Sequence, residues 1–428
     1  MQRYNKLFVL FFGFTAMLGL SGMLGGCGSK AAGGKKQVVL RYSNAEGANQ
    51  IKNMQEICRA FEAENPDIKI AATFGTSKQK ILIESAAETP PDIFMWWSGI
   101  TDLKIRGALL ELDEYIKKHN VNMGDYYKGM IDFYTYDGKL YGMPLQLNTY
   151  VVVYNKDVFD REKMAYPKPD WTWQDYYDIS KKLTKDTNGD GRRDQFGSMY
   201  IGAKVFLDMN NWPIIDFKAK KIMLDTKTNR SVIEFLTKLR NEGCPTRAES
   251  AAFATSSGGG LQPFLTGKVA MTPSAAWTLS SYAHIKNFKW DIVPMPKSMV
   301  TGKKMEVFDE ACLVISAKTK YPDEAFRFVK FYCGEKGMKI FAAGKNGIPA
   351  YKKAAQTDFL VGLPEHAKYF LDAADITRIS LNDRDPLYLR FMEKFNKYFD
   401  LYFMDNRSLD ETIKNTVRDT EILFKESK

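Results

Sequence analysis

From Tyr150 to Tyr154 the chain is an almost unbroken run of β-branched and aromatic residues, preceded by the turn residues Asp137-Gly138 and Gly142-Met143-Pro144. Such a run predicts a strand buried on both faces, as in an α/β sheet. The chain has 428 residues, too many for one ordinary core, so this strand is expected where it leaves one lobe and enters another. Upstream, Val38 to Ser43 is a short apolar run that predicts the first strand. Ile51, Met54, Ile57, Cys58 and Phe61 then fall at helical spacing, and Asn65-Pro66 ends that helix before a strand at Ile68. Strand, helix and strand in that order predict parallel pairing. Ala311 to Ser316 repeats the buried-strand pattern and predicts a second crossing. Pro322 to Phe331 is helical, and Phe391, Phe395, Phe399 and Phe403 recur as a helical core stripe. Thr172 stands as an N-cap before a helix over Gln174 to Leu183, with Trp173 read as structural.

The N-terminus changes the picture. Arg3 and Lys6 precede an apolar run from Leu7 to about Leu24, the layout of a secretory signal. The run ends Leu24-Gly25-Gly26-Cys27, which resembles a bacterial lipobox; the resemblance implies cleavage before Cys27 and its acylation. An uncleaved anchor helix is the alternative, and both readings tether an exported protein. Gly28 to Lys36 is small, polar and basic, as a flexible tether would be. Losing Arg3 and Lys6 and no acid takes the formal charge from +10 to +8. The remaining charge is scattered rather than gathered into a basic face, which speaks against nucleic acid. Cys58, Cys244, Cys312 and Cys333 are far apart and in apolar context, so they are read as buried free thiols.

Several motifs, in order, carry a family resemblance. Gly138, Lys139, Tyr141, Gly142 and Pro144, followed by Tyr154-Asn155-Lys156-Asp157 and Phe159, resemble the central signature of the bacterial extracellular solute-binding proteins of ABC importers. Pro91-Asp92-Ile93, Thr172-Trp173, Phe264 to Met271, Asp291 to Pro296, Pro322 to Phe331 and Gly347-Ile348-Pro349 resemble further segments of that family. The similarity is greatest to its sugar-binding lipoproteins, the group that includes maltose-binding protein. It implies an α/β, two-lobed periplasmic-binding-protein fold (type II). Each lobe would be a mostly parallel sheet flanked by helices, with the lobes joined by hinge crossings. On this reading 1–26 is the signal, 27–37 the tether, 38–147 and 311–362 the first lobe, and 148–310 and 363–428 the second.

The resemblance also implies a site. Ligands of open α/β sheets sit beyond the carboxyl ends of strands, where Trp96 and Trp97 precede Ser98-Gly99. Adjacent residues on a strand face opposite ways, so one of these indoles is expected to meet ligand. Asn148 falls where relatives carry a ligand-facing polar residue, and Trp277 follows the Phe264 to Met271 signature where sugar-binding relatives stack an aromatic. Asn44, Trp212, Asp309 and Glu310 complete the candidate set, with the loop Asn382-Asp383-Arg384-Asp385 as a further contact. The implied function is capture of a sugar or oligosaccharide by hinge closure and delivery to the permease of an ABC importer. The protein would act as a lipid-anchored monomer without nucleic acid. A receptor for a membrane sensor, or an importer receptor for a glycerol-phosphate-type solute, shares every one of these features.

Two other chemistries have partial signals in the sequence. Asp186, Asn188 and Asp190 with Gly191 match the first half of an EF-hand calcium loop, and Asp194 could serve as a further ligand. The twelfth position, however, is Gly197 rather than Glu, and Arg192 and Arg193 lie inside, so an Asx-rich turn competes with calcium. An enzyme is disfavoured. The three histidines, His119, His284 and His366, stand near no Ser or Cys motif, and no G-x-S-x-G occurs. Asp309 and Glu310 are strand neighbours that would diverge, not a facing pair of glycosidase carboxylates.

Overall fold

The computed structural model describes residues 37–45, 47–210, 214–252, 261–304, 308–376, 384–405 and 407–426. Eight strands form one curled sheet: β1 (Val38–Ser43), β2 (Ile68–Thr73), β3 (Ile93–Trp97), β4 (Met143–Asn155), β5 (Met271–Ala275), β6 (Trp290–Pro294), β7 (Phe308–Ile315) and β8 (Ile348–Pro349). The order is β6-β4-β7-β3-β1-β2, with β5 and β8 also pairing with β4. Helix α1 (Ala48–Glu64) connects β1 to β2, and α2 (Lys78–Ala86) connects β2 to β3. Both crossovers return the chain in parallel, and β1 pairs in parallel with β2 and with β3. The rest of the sheet is antiparallel: β7 pairs antiparallel with β3 and with β4, and β4 pairs antiparallel with β5, β6 and β8.

The long strand β4 changes partners midway. Met143 to Thr149 pair with β7, and Gln146 and Leu147 also meet β8 on the other side. From Tyr150 onward the partners are β5 and β6. Twelve of its residues are buried, and Tyr150, at the change of partners, is half-buried. The alternation of a pleated strand then divides the core. Leu145, Leu147, Val151 and Val153 join one cluster of buried side chains, built on β1 to β3 and extended by Phe264, Leu279, Tyr282 and Phe370. Val152 and Tyr154 face a second cluster, with Trp173, Phe206, Ile233 and Leu236.

Local chemistry explains the elements around β4. Asp137 and Gly138 both have positive φ, 53° and 78°, which closes a tight hairpin between Thr135–Tyr136 and Lys139–Leu140. Gly142 admits no side chain, since a Cβ there would lie 2.8 Å from Cys312 Sγ. Thr172 caps α3 (Trp173–Leu183) through a reciprocal capping box with Asp175, and Trp173 is core, its ring 4.6 Å from that of Phe206. The phenylalanine stripe of α4 (Tyr388–Asp405) is buried in the second cluster, where Phe217 meets Phe391 and Phe424 edge-on. Cys58, Cys244, Cys312 and Cys333 are buried and unbonded. Among the described residues no helix is long and apolar enough to cross a membrane.

Candidate functional site

The carboxyl ends of β1 and β3 and the amino end of β7 lie along one edge of the sheet, because β7 is antiparallel to β3. That edge meets β4 where it changes partners: Asp309 stands opposite Asn148, and Phe308 opposite Thr149. Next along β4, Tyr150 stands opposite Ala275, the last residue of β5, and Trp277 follows two residues later on a 3-10 turn. Backbone pairing alone therefore brings Asn44, Trp97, Asn148, Tyr150, Trp277 and Glu310 to one edge.

The side chains differ sharply in what they present. Trp277 is 44% exposed, the one exposed tryptophan among the described residues. Trp97 is half-buried, while Trp96 is 1% exposed and its indole N–H donates to the Gly99 carbonyl. Trp96 is thus the more enclosed of the two indoles, although both rings lie close together, with centroids 6.1 Å apart. Ser98, with φ 71°, turns the chain sharply out of β3 and allows that closure. Asn44 is enclosed as well. It is fully buried, its amide donates to the Tyr42 hydroxyl, and its carbonyl accepts from Thr76 N–H, so it shapes the loop after β1. Asn148 is 3% exposed and Glu310 is buried, both on strands that meet at the edge. The backbone of Asp309 lies in β7, so the strand begins earlier than the expected Ala311 because Asp309 and Glu310 pair with β4. The side chain of Asp309, and Trp212, Asn382, Asp383 and Cys27, lie outside the described residues.

Sequence reasoning missed Lys78. The first residue of α2, it reaches back to the end of β3, and its ammonium donates to the Trp97 carbonyl at 3.1 Å. Nζ lies 4.7 Å from the centre of the Trp96 ring and 5.3 Å from that of Trp97. Burial pulls this ammonium down to about 8, against the pull of Glu310 and Asp102. Burial likewise raises the Asp102 carboxyl, against Arg106 and Lys78. No motif marks Lys78; only the pairing of β3 with β1 and β7 makes the place where it lands visible. Tyr150 belongs to the run expected to be buried and is the one residue of it that the edge leaves half-open.

The loop from Asp186 to Asp194 is braced by its own hydrogen bonds, with Arg193 reaching out to Asn241 and Glu249. Asp186 accepts from the backbone N–H groups of Asn188, Gly189 and Gly191, and Asp194 accepts from Thr187. Those amides hold the Asp186 carboxyl below the usual carboxylate range. These bonds turn the chain in the manner of an Asx-rich turn. Among the described residues no group of three or more His, Cys, Asp or Glu side chains is arranged to hold a metal ion.

Known proteins share this fold. The galactooligosaccharide-binding protein of Bacillus subtilis is 27% identical over 367 residues, 80% of each chain. An ABC substrate-binding protein of Listeria monocytogenes, solved in complex with cycloalternan, superposes with a TM-score of 0.79 at 21% identity, covering 90% of this chain and 99% of that one. The maltose/maltodextrin-binding domain of Bdellovibrio bacteriovorus, bound to maltotriose, gives 0.73 at 18% identity, covering 91% and 99%. Residues 56–368 match the family model for bacterial extracellular solute-binding proteins, and the chain belongs to that family.

Proposed function

We propose that the protein is the extracellular receptor of an ABC importer that captures a sugar or oligosaccharide at the sheet edge and delivers it to the membrane permease. The observation that carries this reading is the exposed indole of Trp277, next to the half-buried Tyr150 and on the same edge as Trp97. Sugars offer C–H faces that lie on stiff aromatic rings, and hydroxyls that need both donors and acceptors. Asn148 would supply an amide, Glu310 a carboxylate and Lys78 an ammonium. Relatives bound to cycloalternan and maltotriose support the sugar class.

The two crossings, β4 and β7, would act as the hinge, with residues 38–147 and 311–362 on one side and 148–310 and 363–428 on the other. Ligand that touches both sides favours the closed form by the difference in contacts. The receptor has no catalytic role in this account. Cys27, following the Leu24-Gly25-Gly26 stretch, would be the acylated N-terminus that anchors the exported protein to the membrane.

A thermal-shift screen over saccharides, phosphodiesters and peptides tests the ligand class. Stabilisation by saccharides alone is expected; stabilisation by phosphodiesters alone would move the reading to the glycerol-phosphate-type solute. Metabolic lipid label on the wild type and on Cys27→Ser tests the anchor: label should disappear, and unchanged labelling contradicts acylation there.

A further inference from the structure

Lys78 sits where the proposed ligand would lie, and its surroundings say what charge that ligand has. The Trp97 carbonyl takes one of the three ammonium donors. The indole faces of Trp96 and Trp97 cover the cation on one side, with Nζ at 4.7 and 5.3 Å from the ring centres. Two carboxylates are placed beside it by the backbone: Glu310 precedes Ala311, which pairs with Trp97, and Asp102 lies on the helix Thr101–Ile105 that follows β3; both favour the charged ammonium, against its burial. Lys78 is only half-buried, and it stands beyond the end of β3, so the remaining donors are within reach of a molecule at the edge.

Resting on the sugar-receptor reading, we infer that Lys78 is a specificity-determining residue: its ammonium donates to a ligand hydroxyl, while Glu310 and Asp102 cancel its charge and so select an uncharged, hydroxyl-bearing ligand over an anionic one. A phosphate or uronate in the same place would compete with two carboxylates for one ammonium. A neutral polyol gains a charge-assisted hydrogen bond and meets no such competition. An ordinary surface lysine would do neither, since it would be solvated and far from both carboxylates. Burial brings the ammonium down to about 8, so the donor is lost within an accessible range of pH.

The test is calorimetric titration of the full chain with maltotriose, mannotriose and cycloalternan as neutral probes, and with sn-glycerol 3-phosphate and digalacturonate as anionic probes. The expected result is binding of a neutral probe that weakens about 30-fold in Lys78→Met, a change of the size a hydrogen bond to a charged group carries. Lys78→Arg, which keeps the charge, should restore most of the affinity. Wild-type affinity should fall as pH rises through about 8, and the Lys78→Arg profile should stay flat across that range. Tryptophan emission without ligand should change over the same range in the wild type and not in Lys78→Met. A neutral probe bound equally by wild type and Lys78→Met would overturn this inference alone. Preference for an anionic probe would overturn both it and the sugar reading. Tryptophan emission insensitive to pH through about 8 would overturn the placement of the ammonium whether or not a probe binds.

Discussion

Arg384 lies with its guanidinium carbon 3.9 Å from the centre of the Tyr136 ring, and its Nη2 donates to the Thr135 carbonyl at 2.6 Å. Thr101 donates its hydroxyl hydrogen to the Arg384 carbonyl and lies 3.1 Å from the Tyr136 hydroxyl. Four residues further on, α4 begins and carries the chain into the second cluster. Arg384 therefore fastens the lead-in of α4 to the hairpin that precedes β4. Replacing it with Ala removes a cation–π contact and a hydrogen bond to a carbonyl, together about 1–2 kcal/mol. Chemical denaturation should show a lowered midpoint of that size, and Arg384→Lys should recover only part, because Lys cannot keep the planar stack.

Trp277 separates binding from folding. Its exposure means that Trp277→Ala leaves little empty space behind, whereas Trp→Ala in a core costs about 3–5 kcal/mol. The melting temperature should hardly move, while saccharide affinity should fall roughly thirtyfold, as for a truncated aromatic anchor. Trp173→Ala is the contrast: it is buried against Phe206 and should lower stability sharply.

Stability and pH offer an independent check on Lys78. The folded protein holds its ammonium at about 8, against an ordinary lysine value of 10.5. Between those values the unfolded chain binds more protons than the native state, so stability from this group rises as pH increases across the window. The comparison is the pH slope of the unfolding free energy in wild type and in Lys78→Met, where the contribution should vanish. Opposite signs are thus expected, with stability from Lys78 rising over the range in which ligand affinity falls.

The Asp186 loop should ignore calcium. Chelator or added calcium should leave the melting curve unaltered, since Gly197 stands where a bidentate Glu would be needed and the loop already closes through its own amides. Asp186→Ala should destabilise it by removing those bonds. Acid should act in the same direction, because a carboxylate held below its unfolded value loses its stabilising effect as pH falls through the folded value.

What could be read from the sequence was local. The Tyr150 to Tyr154 run, the Asp137-Gly138 turn and the Thr172 cap each declare themselves within a few residues, because burial, positive φ and orphan amide groups are demands on neighbours. The candidate site was only partly legible. Strand alternation set an expectation that Trp96 and Trp97 would differ in enclosure, but which is the more enclosed depended on the partner strands. Lys78 was silent, since its place comes from α2 starting beside the end of β3, where the distant strand β7 also pairs. The antiparallel half of the sheet was hidden for the same reason: it follows from the return of β7 beside β4, not from either strand's own residues.

Capture of a neutral saccharide is the central claim, and isothermal titration of the wild-type protein below pH 8 tests it most directly. With maltotriose, mannotriose and cycloalternan in turn, the account predicts saturable heat for at least one, with one site per chain and a negative heat-capacity change from apolar burial on the indoles. No heat from any of them, with saturable binding of glycerol 3-phosphate or a peptide, would contradict it.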